Sequence, residues 1–157
     1  MDRRHRRCRC VLGRPGDFSD PFGGAPVEAG GRTGSLASVA DDPLTRVRAF
    51  CLALPETTER TSHGSPAFFC GKQFVMLWHH GHHDHDFPHL WCAAPPGAQP
   101  ALTRDRPDRF FVPPYVGHRG WLGVRLDGTV DWAEVEDLCE DAYRCVAPKR
   151  LLALLAE

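Results

Sequence analysis

The chain has 157 residues, 42% of them hydrophobic and 25% charged, with a formal net charge of -1. That length suits one domain and is short for two, and no apolar run approaches the ~20 residues of a transmembrane helix, so nothing in it reads as membrane-spanning. The charge is uneven: residues 1–40 hold seven Arg against four acids (+3), and residues 41–157 hold twelve Lys and Arg against sixteen acids (-4), which argues against strong nonspecific nucleic-acid binding but leaves room for a local basic patch.

Residues 1–40 are rich in Arg, Gly, Ala, Pro and Ser and show no periodicity. They cannot bury enough apolar surface to offset their ordering entropy, so a disordered leader is expected. The basic start, MDRRHRRCRC, has no apolar run behind it, unlike a secretory signal. The leader is equally readable as a mis-assigned start, because Val39 stands just ahead of the domain and a valine codon can initiate translation in bacteria. The domain itself is expected over residues 41–157.

Asp42 and Pro43 suit the cap and first position of a helix, and Leu44, Val47, Cys51 and Leu54 form its apolar stripe. Pro55 ends it, and the polar run ETTERTSHGSP reads as a loop. Runs at 67–70, 73–78 and 90–93 read as neighbouring antiparallel strands, with a tight turn at Gly71-Lys72. A short helix is expected at 99–106, and further strands at 110–112 and 121–126. Between the last two, Pro113-Pro114-Tyr115 cannot join a central ladder, because proline lacks the donor. Asp127-Gly128 makes a turn. Asp131, with Glu134 in capping-box spacing, then opens a helix whose buried stripe is Val135, Leu138, Cys139, Ala142 and Val146. Pro148 interrupts it, and 149–156 adds a final helical piece. The order gives an α+β fold, an antiparallel sheet with N- and C-terminal helices.

The seven cysteines (Cys8, Cys10, Cys51, Cys70, Cys92, Cys139 and Cys145) are odd in number and contain no CxxC pair. They read as reduced thiols acting as small apolar residues in a cytoplasmic protein.

Two constellations could carry chemistry. Six of the nine His lie between His79 and His89, beside Asp84 and Asp86. Imidazole and carboxylate suit zinc, nickel or copper. The candidate ligands are His80, His82, His83 and His85, and His83 and His85 share a face if the strand continues to 85. The competing reading is a solvated hairpin tip that takes transition metals adventitiously, and no other cofactor is expected. The fragment HGHHDH also fits the HxHxDH pattern of metallo-β-lactamase-like hydrolases, but only His89 and His118 remain downstream as ligands.

The second constellation is basic and aromatic. Lys72, Arg104, Arg106, Arg109, His118, Arg119 and Arg125 alternate with Phe110, Phe111, Tyr115 and Trp121. Phosphate contact plus base stacking uses these residue types. The nucleic-acid candidates are Lys72, Arg104, Arg109, Tyr115, His118, Arg119 and Arg125, while Phe110, Phe111 and Trp121 also read as strand core. No acidic partner supports Ser62, His63 and Ser65 as a catalytic set, and no phosphate-cradling glycine loop is present, so an enzyme is not indicated.

Taken in order, Leu54-Pro55-Glu56, Gly71-Lys72, Pro113-Pro114-Tyr115, Gly120-Trp121, Asp131-Trp132 and Ala142-Tyr143-Arg144 resemble the MmcQ/YjbR family of small bacterial proteins, its actinobacterial members in particular. The resemblance covers roughly residues 41–155. It implies a CyaY-like fold, an antiparallel sheet with both terminal helices on one face, similar in outline to frataxin. It also brings a DNA-binding label, which rests on fold-level likeness. The leader and the His-rich turn depart from the family's pattern. The expectation is a non-enzymatic binding protein that contacts DNA through the basic-aromatic loop. The alternative is a metal-binding or frataxin-like partner protein using His79 to His89.

Overall fold

A computed structural model describes residues 42–82 and 84–156. The expected leader over residues 1–40, and His83 of the candidate metal set, lie outside these.

Asp42 caps α1 (Pro43–Leu52), its carboxylate accepting from the Thr45 amide at 3.0 Å. Val47 and Cys51 are buried, with Leu44 and Leu54 packed at the margin of the core. The segment after α1 corrects the loop reading, because β1 (Thr58–Ser62) forms there and pairs with β2 (Ser65–Cys70). The two residues between them, His63 and Gly64, have φ of 50° and 80°. Positive φ at both central positions makes the primed turn that matches strand twist in a tight hairpin. β1 carries no apolar alternation because it is an edge strand with three exposed positions, Thr58, Arg60 and Thr61.

β3 (Lys72–Trp78) and β4 (His89–Cys92) follow, so the three expected neighbours are indeed antiparallel strands. Then come α2 (Ala98–Asp105), β5 (Phe110–Phe111), a 3₁₀ turn at Gly117–Arg119, and β6 (Leu122–Arg125). The last two strands are shorter than expected, since Val112 leads directly into the donor-less Pro113-Pro114 pair. The sheet order is β1-β2-β3-β4-β6-β5, with every neighbour antiparallel.

Asp131 caps α3 (Trp132–Val146) by accepting from the Ala133 and Glu134 amides at 3.1 and 3.3 Å. Glu134 does not close the capping box, because its carboxylate pairs with Arg106 instead. The buried stripe is Val135, Cys139, Ala142 and Tyr143. Tyr143 donates its hydroxyl to the Pro55 carbonyl at 2.7 Å and sets its ring edge-on to Phe74 at 5.5 Å. α4 (Lys149–Leu154) adds Leu151 to the core. α1 and α3 pack on each other and on β3, so both cover one face of the sheet. The class is α+β, as expected. No helix among the described residues is long and apolar enough to cross a membrane.

One irregularity decides what the other face looks like. Phe68 pairs with Val75 and Phe69 with Gln73, so Phe74 is an extra residue in β3. Such a bulge shifts the side-chain phase by one. Phe74 meets Tyr143 on the helix side, while Gln73, Met76 and Trp78 together line the open side. Strict alternation would have split Gln73 from Met76.

The cysteine reading holds for Cys51, Cys70, Cys92 and Cys139, which are free and buried, but Cys145 is exposed. A hydrogen bond with Cys139 and burial push the Cys51 thiol up, and burial does the same for Cys70 and Cys92. High thiol pKa values make these three poor nucleophiles.

Candidate functional site

Directly paired residues in an antiparallel sheet share a face. The pairs Met76–Trp91, Trp91–Gly123 and Gly123–Phe111 therefore run as one row across the open face, with Trp78–His89–Arg125 as the next. Two loops close over these rows. The 79–88 segment turns back at Gly81 (φ 83°), and a bridge joins His82 to His85. The chain is therefore not extended to 85. The 112–121 segment contains Tyr115 with φ 65°, and the Val116 amide bonds back to the Pro114 carbonyl at 2.7 Å. That is a γ-turn of the rare positive-φ kind, a conformation that costs roughly 1–3 kcal/mol for a non-glycine residue. It leaves Tyr115 71% exposed. Gln99 of α2 anchors this loop by donating from its side-chain amide to the carbonyls of Gly117 and Trp121.

Between the loops lies a cleft of about 460 Å³. Its floor is Met76, Trp78, Trp91 and Trp121, all nearly fully buried, and its walls include His82, Tyr115 and Val116. Gln73 and the hairpin residue His63 close the end nearest β2. The volume falls within the ~300–1,000 Å³ typical of small-ligand sites, and the mostly apolar lining fits them too. The His82 ring stacks on Trp78 at 3.7 Å and meets Trp91 edge-on at 5.5 Å. A smaller hollow of about 370 Å³ on the other side of Tyr115 is lined by Asp84, His85, Val112 and Pro114.

The candidate residues divide by position. Tyr115 lines the cleft. Arg119 reaches it by lying 5.8 Å from the Trp121 ring centroid. Lys72 precedes Gln73 on β3, and with His118 and Arg119 it is exposed. The other cations are engaged elsewhere. Arg109 donates to the carbonyls of Arg125 and Asp127, both at 3.2 Å, and of Thr129 at 2.5 Å, which clasps the loop after β6. Arg125 pairs with Asp127 at 2.7 Å and covers the Phe87 ring at 3.9 Å. Arg104 pairs with Asp105 at 3.0 Å, an exposed contact of little energy. Arg109 and Arg125 stand at the opposite end of β6 from Arg119, so the seven candidates do not form one patch.

The histidines are absorbed into aromatic packing. His85 lies 4.5 Å from Phe111 and 5.6 Å from His89, and His79 bonds Asp42 at 2.8 Å. His80 is exposed, with its ring 4.6 Å from His79. Among the described residues no three His, Cys, Asp or Glu side chains gather as a metal centre requires. His89 is fully buried, its Nδ1 2.8 Å from the Phe87 carbonyl. Burial lowers its pKa against the effect of that bond, and His85 and His82 lower it further. The imidazole is therefore held neutral, with the donor on Nδ1.

The YjbR family model matches residues 52–145. The chain belongs to the YjbR family. No curated protein matches it. Among solved structures, this YjbR chain is similar to the Deinococcus radiodurans protein DR2400, which carries the domain DUF419. The two share 19% identity and a TM-score of 0.58, over 72% of this chain and 87% of the other. At that identity the likeness shows a common fold.

Met76, Trp78, Trp91 and Gln73 were missed as site residues. Met76 and Trp78 alternate, a signal of a shared strand face. Only the bulge and the strand pairing show that the same face holds Gln73, Trp91 and Trp121.

Proposed function

We propose that this protein is a non-enzymatic binding protein that takes nucleic acid in single-stranded form. An unstacked base enters the aromatic cleft, and an adjoining phosphate meets Arg119, whereas Lys72 pairs with Cys70 and so lies on the helix face. The observation that carries this reading is the cleft itself, with three tryptophans on its floor and Tyr115 standing at its rim. Base–aromatic stacking is worth roughly 1–3 kcal/mol per base, and every base has a face to stack. A duplex keeps its bases stacked and paired, so it cannot fill the cleft. The reading narrows the expected DNA contact. Arg109 and Arg125 fall outside it, because their guanidinium groups are already engaged, and Arg104 does not line the cleft. The raised pKa values of the buried thiols support an inert, non-catalytic core, and the free cysteines fit a reducing, cytoplasmic setting.

Fluorescence anisotropy of a labelled 12-nucleotide single strand, against the same sequence as duplex, tests the reading at 50 and 200 mM salt. One phosphate contact gives a slope of log K against log salt of roughly -0.7, or about 2.6-fold weaker binding over that range. Arg119→Ala should remove most of that slope, and Lys72→Ala should leave it unchanged. Duplex bound as tightly as single strand, or an unchanged slope in the Arg119→Ala protein, would overturn it.

A further inference from the structure

Tyr115 borders two cavities. The cleft of about 460 Å³ lies on one side of it and the hollow of about 370 Å³ on the other. The residue is 71% exposed, so the boundary between them is a side chain largely open to solvent. Its place is set by the backbone. The φ of 65° and the 2.7 Å bond from the Val116 amide to the Pro114 carbonyl hold the γ-turn, and the Gly117 amide bonds to the Pro113 carbonyl at 3.0 Å. A glycine would take that φ without strain. An aromatic residue kept there in spite of the strain points to a use for its side chain, and backbone outliers of this kind cluster at ligand sites.

The two cavities differ in chemistry. Trp78, Trp91 and Trp121 floor the cleft. The hollow is lined by Asp84, His85, Val112 and Pro114. Val112 and Pro114 give it an apolar wall, and the His85 ring is held 4.5 Å from that of Phe111. An acidic residue at its wall disfavours a phosphate there. A neutral flat ring therefore suits the hollow better than the charged backbone of a strand does. Its volume, like that of the cleft, falls within the range of small-ligand sites.

We propose that Tyr115 divides two ring subsites and that the ligand is a pair of linked flat rings, one in the cleft and one in the hollow, as the two bases of a dinucleotide unit would be. The rings can come from neighbouring bases of a single strand or from a free dinucleotide. The strand as source rests on the function proposed above, whereas the pair of subsites rests on the two cavities and the residue between them. A ligand with one ring fills the tryptophan-floored cleft and leaves the hollow empty.

The experiment measures binding of the thymidine dinucleotide, of its two counterparts with one base removed to leave an abasic sugar, and of the oligo-deoxythymidine 12-mer. Each is titrated into the full chain and its Tyr115→Gly and Tyr115→Phe variants. All three dinucleotides carry the same phosphate, so their differences report the rings. Loss of either base should weaken binding about tenfold, as expected for one base stacked on an aromatic side chain. Tyr115→Phe should keep that difference, and Tyr115→Gly should reduce it to below about twofold. Abasic dinucleotides bound as tightly as the complete one, or a difference unchanged in Tyr115→Gly, overturns the second subsite, and a bound 12-mer then leaves the single-strand reading standing. Binding of the dinucleotide but not of the 12-mer supports the two subsites and removes the strand as their source. Binding of neither overturns both. Two further readouts locate the second ring. The Val112 methyl resonances should shift with the complete dinucleotide and stay in place with the abasic forms, and equal shifts with all three would contradict the hollow as its site. Tyr115→Gly, relieved of its positive-φ strain, should melt no lower than the parent. A large fall in Tm would show that the ring holds the loop together, and would sink the proposal.

Discussion

Gly123→Ala tests the packing of the open face. Gly123 lies mid-strand in β6, paired with Trp91 on one side and Phe111 on the other. A Cβ built there would sit 2.4–2.6 Å from three carbons of the Phe111 ring, far inside van der Waals contact. The ring cannot simply slide away, because it already lies 4.5 Å from His85 and 5.4 Å from His89. Overpacking of this kind costs about 1–3 kcal/mol. For a domain of this size that is a Tm fall of roughly 4–12 °C. Thermal melts of Gly123→Ala, Phe111→Ala and the double variant form a cycle. The double variant should be no less stable than Phe111→Ala alone, since the added methyl then occupies vacated space. Strictly additive losses, or a Gly123→Ala protein as stable as the parent, would refute the contact.

Three further outcomes are expected. Tyr143→Phe removes the 2.7 Å hydrogen bond to Pro55 that ties α3 to the end of α1, and should cost about 0.5–1.5 kcal/mol in urea denaturation with no change in m-value. Asp131→Ala strips two amides at the start of α3 of their acceptor and should cost about 1 kcal/mol, seen as a lower urea midpoint. His89, whose pKa burial lowers, makes stability pH-dependent. The unfolded chain takes a proton there near pH 6.5, while the folded chain resists it until lower pH. Stability should be level above about 6.5 and fall as pH drops below it. His89→Phe should show a smaller loss than the parent between pH 7.5 and 5.5, and an identical loss would exclude His89 as the source.

The helices were legible because caps and stripes are local: Asp42 and Asp131 each announce a helix and each makes the expected bond. β1 was not, because an edge strand that is mostly exposed has no need of apolar alternation. The Pro113-Pro114-Tyr115 break correctly marked an exposed loop at the site. The cleft floor was hidden for a different reason. Its residues come from β3, β4 and Trp121 just ahead of β6, and one bulge at Phe74 sets which residues of β3 face the same way. Charge was the misleading signal. Arg109 and Arg125 look like free cations in sequence, but the turn after β6 brings carbonyls and Asp127 within their reach. His82 and His85 meet aromatic faces that only the folded loop supplies.

The chain's four tryptophans allow a direct test of the cleft as the binding site. Trp78, Trp91 and Trp121 line it, whereas Trp132 starts α3 and packs on Phe50. Indole N–H resonances in a ¹⁵N-correlated NMR spectrum, followed while single-stranded oligo-deoxythymidine is added, report all four sites at once. The account predicts that the Trp78, Trp91 and Trp121 signals shift and the Trp132 signal stays in place. Shifts confined to Trp132, or no shift at saturating strand, would contradict it.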